Sequence, residues 1–140
     1  MLHLTFITVG DLPNGPFREI AEKFKKQLRP YVKLDHKIVK DASRIERQIP
    51  DGDYVVVLDE RGKHVTSQFA AQIMKRMENQ GTHVTAILGG PKGLPDSIKQ
   101  RADLLFALSK LTTTHDLAHI FFLEQLYRIM TIVHGKEYHY

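Results

Sequence analysis

The sequence predicts an α/β domain built on a largely parallel sheet, and three observations predict it. Two continuous apolar runs, Asp53-Tyr-Val-Val-Val-Leu58 and Val84 to Leu88, have the composition of strands buried on both faces. Amphipathic helical stripes stand between the apolar runs. The order strand, helix, strand, helix is that of βαβ units. With 140 residues the chain makes one domain, 1–140, in which folding removes roughly 68–70% of the unfolded surface.

Each element has its own signal. Leu2, Leu4, Phe6, Ile7 and Val9 predict a first strand, stopped by Gly10 and Pro13. Pro16 opens a helix carrying Phe17, Ile20, Ala21, Phe24 and Leu28, ended by Pro30. Val32, Leu34, Ile38 and Val39 predict a second strand interrupted by charge. Asp41 to Ile49 predicts a short helix capped by Asp41 or Ser43 and closed before Pro50. Phe69, Ala70, Ile73, Met74 and Met77 form a helical stripe closed by Gly81. After the fourth strand come Gly89-Gly-Pro-Lys-Gly93 and a short helix from Pro95 and Asp96. Leu104 to Leu108 is a fifth strand, and Leu117 to Ile132 is the longest apolar helix. That helix carries Leu117, Ile120, Phe121, Leu123, Leu126, Tyr127 and Met130, more apolar surface than one stripe against a sheet needs, which predicts a dimer.

Composition narrows the function. The longest unbroken apolar runs are five residues, against about 20 for a membrane span, and no signal-peptide pattern opens the chain. No Cys is present, which removes disulfides, thiolate metal sites and cysteine nucleophiles and makes a cytoplasmic setting the natural expectation. Between Arg18 and Arg47 stand ten basic residues against five acidic ones, whereas the whole chain carries only +4. A basic first third suits a polyanion such as nucleic acid; a solvated helix face with surplus Lys accounts for it equally.

Ligands of parallel α/β sheets bind beyond the carboxyl ends of strands. Three loops qualify: Asp59 to Gly62, Gly89 to Gly93, and Ser109 to His115. The glycine loop permits close backbone approach but matches neither GxGxxG nor the GxxxxGK[ST] phosphate loop, and a plain turn also explains it. His115-Asp-Leu-Ala-His119 has the i, i+4 spacing of zinc ligands on a helix. Metalloproteases place Glu there, Asp is one methylene shorter, and no third ligand stands at an obvious spacing; no metal is expected. The other reading of His115 is a polar active-site or capping residue. Glu124 and Arg128 are spaced for an intrahelical ion pair. The tail Lys136-Glu-Tyr-His-Tyr140 could stack on bases or dock on a neighbouring subunit.

Taken together, Leu58-Asp-Glu-Arg-Gly-Lys63, Ile87-Leu-Gly-Gly-Pro-Lys-Gly-Leu94, Leu108-Ser-Lys-Leu-Thr112 with His115, Glu124-Gln-Leu-Tyr-Arg128 and Tyr138-His139 stand in a definite order and spacing. In this the chain resembles, over essentially its whole length, the RlmH family (ribosomal RNA large subunit methyltransferase H) of the SPOUT superfamily. The resemblance implies a SPOUT-type α/β knot: a mostly parallel sheet with helices on both faces and a C-terminal trefoil knot. It implies a homodimer that binds S-adenosylmethionine and methylates N3 of a pseudouridine in 23S ribosomal RNA on the assembled ribosome. Cofactor-binding positions then fall on Leu58, Gly89, Gly90, Leu108, Ser109, Lys110, Leu111, Thr112 and Thr113. Catalytic candidates are His115, Arg128, Tyr138 and His139.

Three residues depart from that family's pattern. Thr114 stands where Pro is usual, which would loosen the turn; His119 stands where Arg is usual; and Tyr140 stands where Lys or Arg is usual. The chain is also short between the second and third strands. The competing functions are an RNA-binding relative without catalysis, suggested by His119 and Tyr140, and a zinc hydrolase built on His115 and His119.

Overall fold

A computed structural model describes residues 1–109 and 111–138. Five strands, β1 (Leu2–Val9), β2 (Val32–Val39), β3 (Tyr54–His64), β4 (Val84–Leu88) and β5 (Leu104–Ala107), form one sheet in the order β2-β1-β4-β3-β5. Every pairing is parallel. The connections carry α1 (Pro16–Leu28), α2 (Ser67–Gln80) and α3 (Asp96–Gln100), and α4 (His115–Val133) follows β5. Among the described residues no helix is long and apolar enough to cross a membrane.

Alternation along the strands divides the core between the two faces of the sheet. Leu2, Leu4, Phe6, Val56, Leu58, Val84, Ala86 and Leu88 pack with residues of α1, α2 and α4. Ile7, Val55, Val57 and Ile87 pack on the other side with Ile45, Ile49 and Ile98 of α3. Helices therefore cover both faces, but the first layer is much the thicker. The amino end of the sheet is tied by Asp53, whose carboxylate accepts from the Thr85 hydroxyl at 2.7 Å.

Four expectations need correction. Asp41 to Ile49 is not one helix but two 3₁₀ turns, Ala42–Arg44 and Glu46–Gln48. Asp41 caps the first, accepting from the Ser43 amide at 3.0 Å, and Ile49 is already extended before Pro50. β3 runs past Leu58 to His64, because the chain rejoins β5 after an irregularity: both Leu58 and Lys63 pair with Phe106. β5 stops at Ala107, one residue early. Finally, Leu123, Leu126 and Met130 of α4 are fully buried in the chain's own core, so they belong to no surplus surface.

His119 is wholly buried on α4. Its ring meets Phe6 and His36 edge-on at 5.1 and 5.2 Å, and neither nitrogen has a hydrogen-bond partner among the described residues. Burial, then the nearby His36 and Lys25, holds its pKa down at about 3. His36 is lowered to about 4 by burial and then by Lys25. The Thr8 hydroxyl donates to the Gly10 carbonyl at 2.8 Å and so accepts from His36 Nε2 at 2.9 Å, while Lys25 donates to Nδ1 at 3.0 Å.

Both rings are therefore neutral in the fold, while an unfolded His titrates near 6.5. Protons are taken up on unfolding between the folded values, about 3 and 4, and the unfolded 6.5. Stability is complete above pH 6.5 and declines as pH falls towards 4 and 3, His119 contributing up to about 1.4 kcal/mol per pH unit. His119→Leu removes two unpaired buried nitrogens and should stabilise by about 1–3 kcal/mol at pH 7, and by more at pH 5. Urea unfolding of both proteins at the two pH values measures this; a variant destabilised at pH 7, or a gain that shrinks at pH 5, contradicts it.

Candidate active site

The carboxyl ends of β3, β4 and β5 surround a cavity of about 310 Å³, within the range of small-molecule sites. Leu58, Gly89, Gly90, Leu108, Ser109, Leu111, Thr112 and Thr113 all line it, and His115 enters from the first turn of α4. These are the expected cofactor positions except Lys110, which lies outside the described residues. Asp59 and Glu60, in the first of the three candidate loops, also line the cavity, although the sequence assigned them no role. Sequence reasoning missed Lys99 and Ala118 and the apolar wall of Leu88 and Leu94; Lys99 carried no local signal.

Close backbone approach shapes the walls. Gly62 lies against β5 so tightly that a Cβ there would stand 2.6 Å from Phe106 backbone atoms. A Cβ on Gly89 would stand 2.7 Å from Leu94 Cγ. Gly90 to Gly93 is a turn closed by a 2.9 Å bond from the Gly93 amide to the Gly90 carbonyl, and Gly93 has φ +75°. In the third loop the Ser109 hydroxyl accepts from the Leu111 amide at 3.0 Å. Thr114 does not loosen the entrance to α4: its hydroxyl caps the helix, accepting from the Leu117 amide at 3.3 Å.

His115 ties α4 to the glycine loop. Its Nδ1 lies 2.8 Å from the Gly89 carbonyl oxygen, which can only accept, so Nδ1 carries a proton. In the neutral ring the lone pair is on Nε2, which is buried and has no partner among the described residues. At the mouth, Lys99 Nζ meets Asp59 Oδ2 at 2.8 Å, and the Arg61 amide donates to Oδ1 at 3.1 Å. Burial pushes the Asp59 carboxyl up, but the Lys99 and Arg61 hydrogen bonds outweigh it and hold the group below its usual range.

Arg128 and Tyr138 stand together elsewhere. Arg128 pairs with Glu124 at 3.0 Å and lies over the Tyr138 ring, 4.7 Å from its centre. Tyr138 also meets Tyr127 edge-on at 4.8 Å, and burial followed by Glu124 raises its phenol pKa, keeping it a proton donor. Arg128 is thirteen residues beyond His115 on α4, about 20 Å along the axis. Thus His115 joins the cavity within one chain, whereas Arg128 and Tyr138 do not line it. His139 and Tyr140 lie outside the described residues. His119 faces Phe6 and His36 rather than His115's carbonyl partner, so the i, i+4 pair does not converge on one site. Among the described residues no group of three or more His, Cys, Asp or Glu is placed to hold a metal ion.

The family model described as "Predicted SPOUT methyltransferase" matches residues 2–139. The chain belongs to this family. It is 42% identical over 154 aligned residues to a protein named Ribosomal RNA large subunit methyltransferase H from Neisseria meningitidis serogroup A, covering 99% of each chain. A protein of the same name from Syntrophotalea carbinolica is 39% identical, again over 99% of both. One from Caldicellulosiruptor saccharolyticus is 36% identical over 95% of this chain and 97% of that protein. Among solved structures, a probable methylase family protein from Haemophilus influenzae Rd KW20 superposes with a TM-score of 0.61 at 11% identity. The superposition covers 99% of this chain and 71% of that one and shows a shared fold. The five-stranded parallel sheet agrees with membership of the SPOUT family.

The Gly62 contact is testable. Gly62→Ala forces backbone apart where β3 rejoins β5, and should destabilise the protein by about 1–3 kcal/mol. Thermal unfolding reads the change, and an unaltered melting temperature would mean that the two strands do not touch there.

Proposed function

We propose that this chain is an S-adenosylmethionine-dependent methyltransferase that modifies N3 of a pseudouridine in large-subunit ribosomal RNA, acting in the cytoplasm on assembled ribosomes. The observation that carries the reading is convergence: every described residue at an expected cofactor position borders one cavity of about 310 Å³. The cavity suits that cofactor. Leu58, Leu88, Leu94 and Leu108 offer an apolar bed, glycine backbone comes close at Gly89 and Gly90, and the buried Nε2 of His115 awaits a partner. When bound, S-adenosylmethionine supplies an electrophilic methyl group on a sulfonium.

The base nitrogen must lose its proton as it attacks, and a positioned acceptor typically contributes about 100- to 10,000-fold. His115 is oriented for this, since the Gly89 carbonyl fixes the proton on Nδ1 and leaves Nε2 as the acceptor. Arg128 is the group suited to stabilise negative charge developing on the base, with the neutral Tyr138 phenol as donor or stacking surface. Their separation from His115 along α4 supports a homodimer, in which a second copy brings its own Arg128 and tail to the cavity. An apolar face is available for it: Leu117, Phe17 and Ile20 are 46%, 38% and 40% exposed, with Ile120 and Phe121 half-buried beside them. The trefoil knot and the single-domain organisation of residues 1–140 belong to the same proposal.

The direct test is transfer of a labelled methyl group to ribosomes lacking the modification, together with cofactor titration. Gly90→Arg should abolish both, because Gly90 lines the cavity and a side chain there starts 3.2 Å from Val9 Cγ1, so the long Arg side chain displaces the loop. Unchanged affinity would remove Gly90 from the site. Removing residues 138–140 should lower methyl transfer at least about 100-fold while S-adenosylmethionine affinity stays within a few-fold. Full activity of the truncated chain, or a mass of 16.1 kDa by light scattering at micromolar concentration, would overturn the shared site.

A further inference from the structure

Three charged side chains reach the cavity from positions that the resemblance does not assign: Asp59, Glu60 and Lys99. Two of them form a built pair. Asp59 lies within β3, where its pairing with β5 is interrupted after Leu58, and is 11% exposed at its side chain; Lys99 on α3 is 29% exposed. Forty residues separate them in sequence, yet Nζ and Oδ2 are 2.8 Å apart. An exposed pair of this kind contributes little to stability, but one that lines a cavity of mixed apolar and polar walls presents fixed charges of both signs to a ligand. Lys99 uses one donor on Asp59 and keeps two; Asp59 accepts from Lys99 and Arg61 and retains lone pairs on both oxygens. What matches adjacent positive and negative charge at the edge of an apolar bed is a zwitterion carried by an apolar body.

We propose that Lys99 and Asp59 select the methyl donor by its amino-acid end, Lys99 taking the α-carboxylate and Asp59 the α-ammonium group. This rests on the cofactor reading above and deepens it. The leucine and glycine walls hold the nucleoside, which any adenosine derivative shares, and the ion pair distinguishes a donor with an intact aminobutyrate chain from one without. The net lowering of the Asp59 pKa keeps its carboxylate charged through the neutral range, as this role requires.

The test compares two neutral thioethers by calorimetric titration. S-Adenosylhomocysteine keeps the zwitterionic end and methylthioadenosine lacks it, so sulfur charge does not enter. Lys99→Met should weaken S-adenosylhomocysteine about ten-fold or more and leave methylthioadenosine within two-fold. Lys99→Arg should retain the parent's affinity for S-adenosylhomocysteine within a few-fold. Asp59→Asn should weaken S-adenosylhomocysteine selectively as well, and it reads the same selectivity where Lys99→Met fails to fold. Equal losses for both ligands in folded variants would make the pair a strut between β3 and α3 and overturn the proposal. So would no loss for either, or a parent that binds the two ligands equally. A parent that binds neither would overturn the cofactor reading itself, and this inference with it.

Discussion

The register of β4 is the constraint on which the site depends. Val84 is level with Leu4 of β1 and with Tyr54 of β3, and Leu88 is level with Thr8 and Leu58. Phe106 of β5 is level with Leu58 in turn. Leu88, Leu58 and Phe106 thus stand level on three neighbouring strands, and the segments that follow them converge, although β3 itself runs on to His64. A parallel sheet gives that convergence only when its registers agree, since a slip of one residue would turn every apolar side chain to the opposite face. The two core clusters, with Val56 and Leu58 on one face and Val55 and Val57 on the other, fix the register energetically. The cavity is a by-product of how the core is packed.

Much of this was legible in the sequence because it is local. The β-branched run from Tyr54 to Leu58 reads as a strand, and Ala70, Ile73, Met74 and Met77 read as a helix face that the structure buries, whereas Phe69 at the start of that stripe is left exposed. The Gly81 stop appears as a left-handed residue of φ +68°. What was not legible depends on pairing across distance. Nothing near Lys63 announces that it rejoins Phe106, because the reason is the absence of a side chain at Gly62 against another strand's backbone. Nothing near Lys99 announces Asp59. The helical pattern of Asp41 to Ile49 gave way to 3₁₀ turns in a stretch that Asp41 caps and Pro50 ends, leaving room for little more than two turns.

The histidines of α4 show the same division. His115 and His119 share a spacing that suggests a common ligand, yet their surroundings give them opposite chemistry. His115 has one nitrogen satisfied by Gly89 and one left over at a cavity that polar ligands can enter. His119 has neither satisfied and lies against Phe6, where its neutral ring behaves as a flat apolar surface. A permanent charge at this buried position would need a partner.

The basic first third follows the same logic of neighbours. Its charges are not one free patch: Arg18 pairs with Asp11 at 2.9 Å, and Lys25 is turned inward onto His36. Lys25 stands beside two buried imidazoles and helps to keep both neutral, so its charge serves the fold. Among the cations that remain outward, Lys23 and Lys26 stand on α1, Lys33 on β2, the edge strand of the sheet, and Lys40 directly after it. That edge is separated from β3 by β1 and β4, and the cavity lies at β3, β4 and β5. In a methyltransferase acting on a large polyanion, diffuse phosphate attraction by those cations would act away from the cavity at β3, β4 and β5. Close to the cavity Lys99 is instead paired with Asp59, and His115 is oriented by its bond to the Gly89 carbonyl.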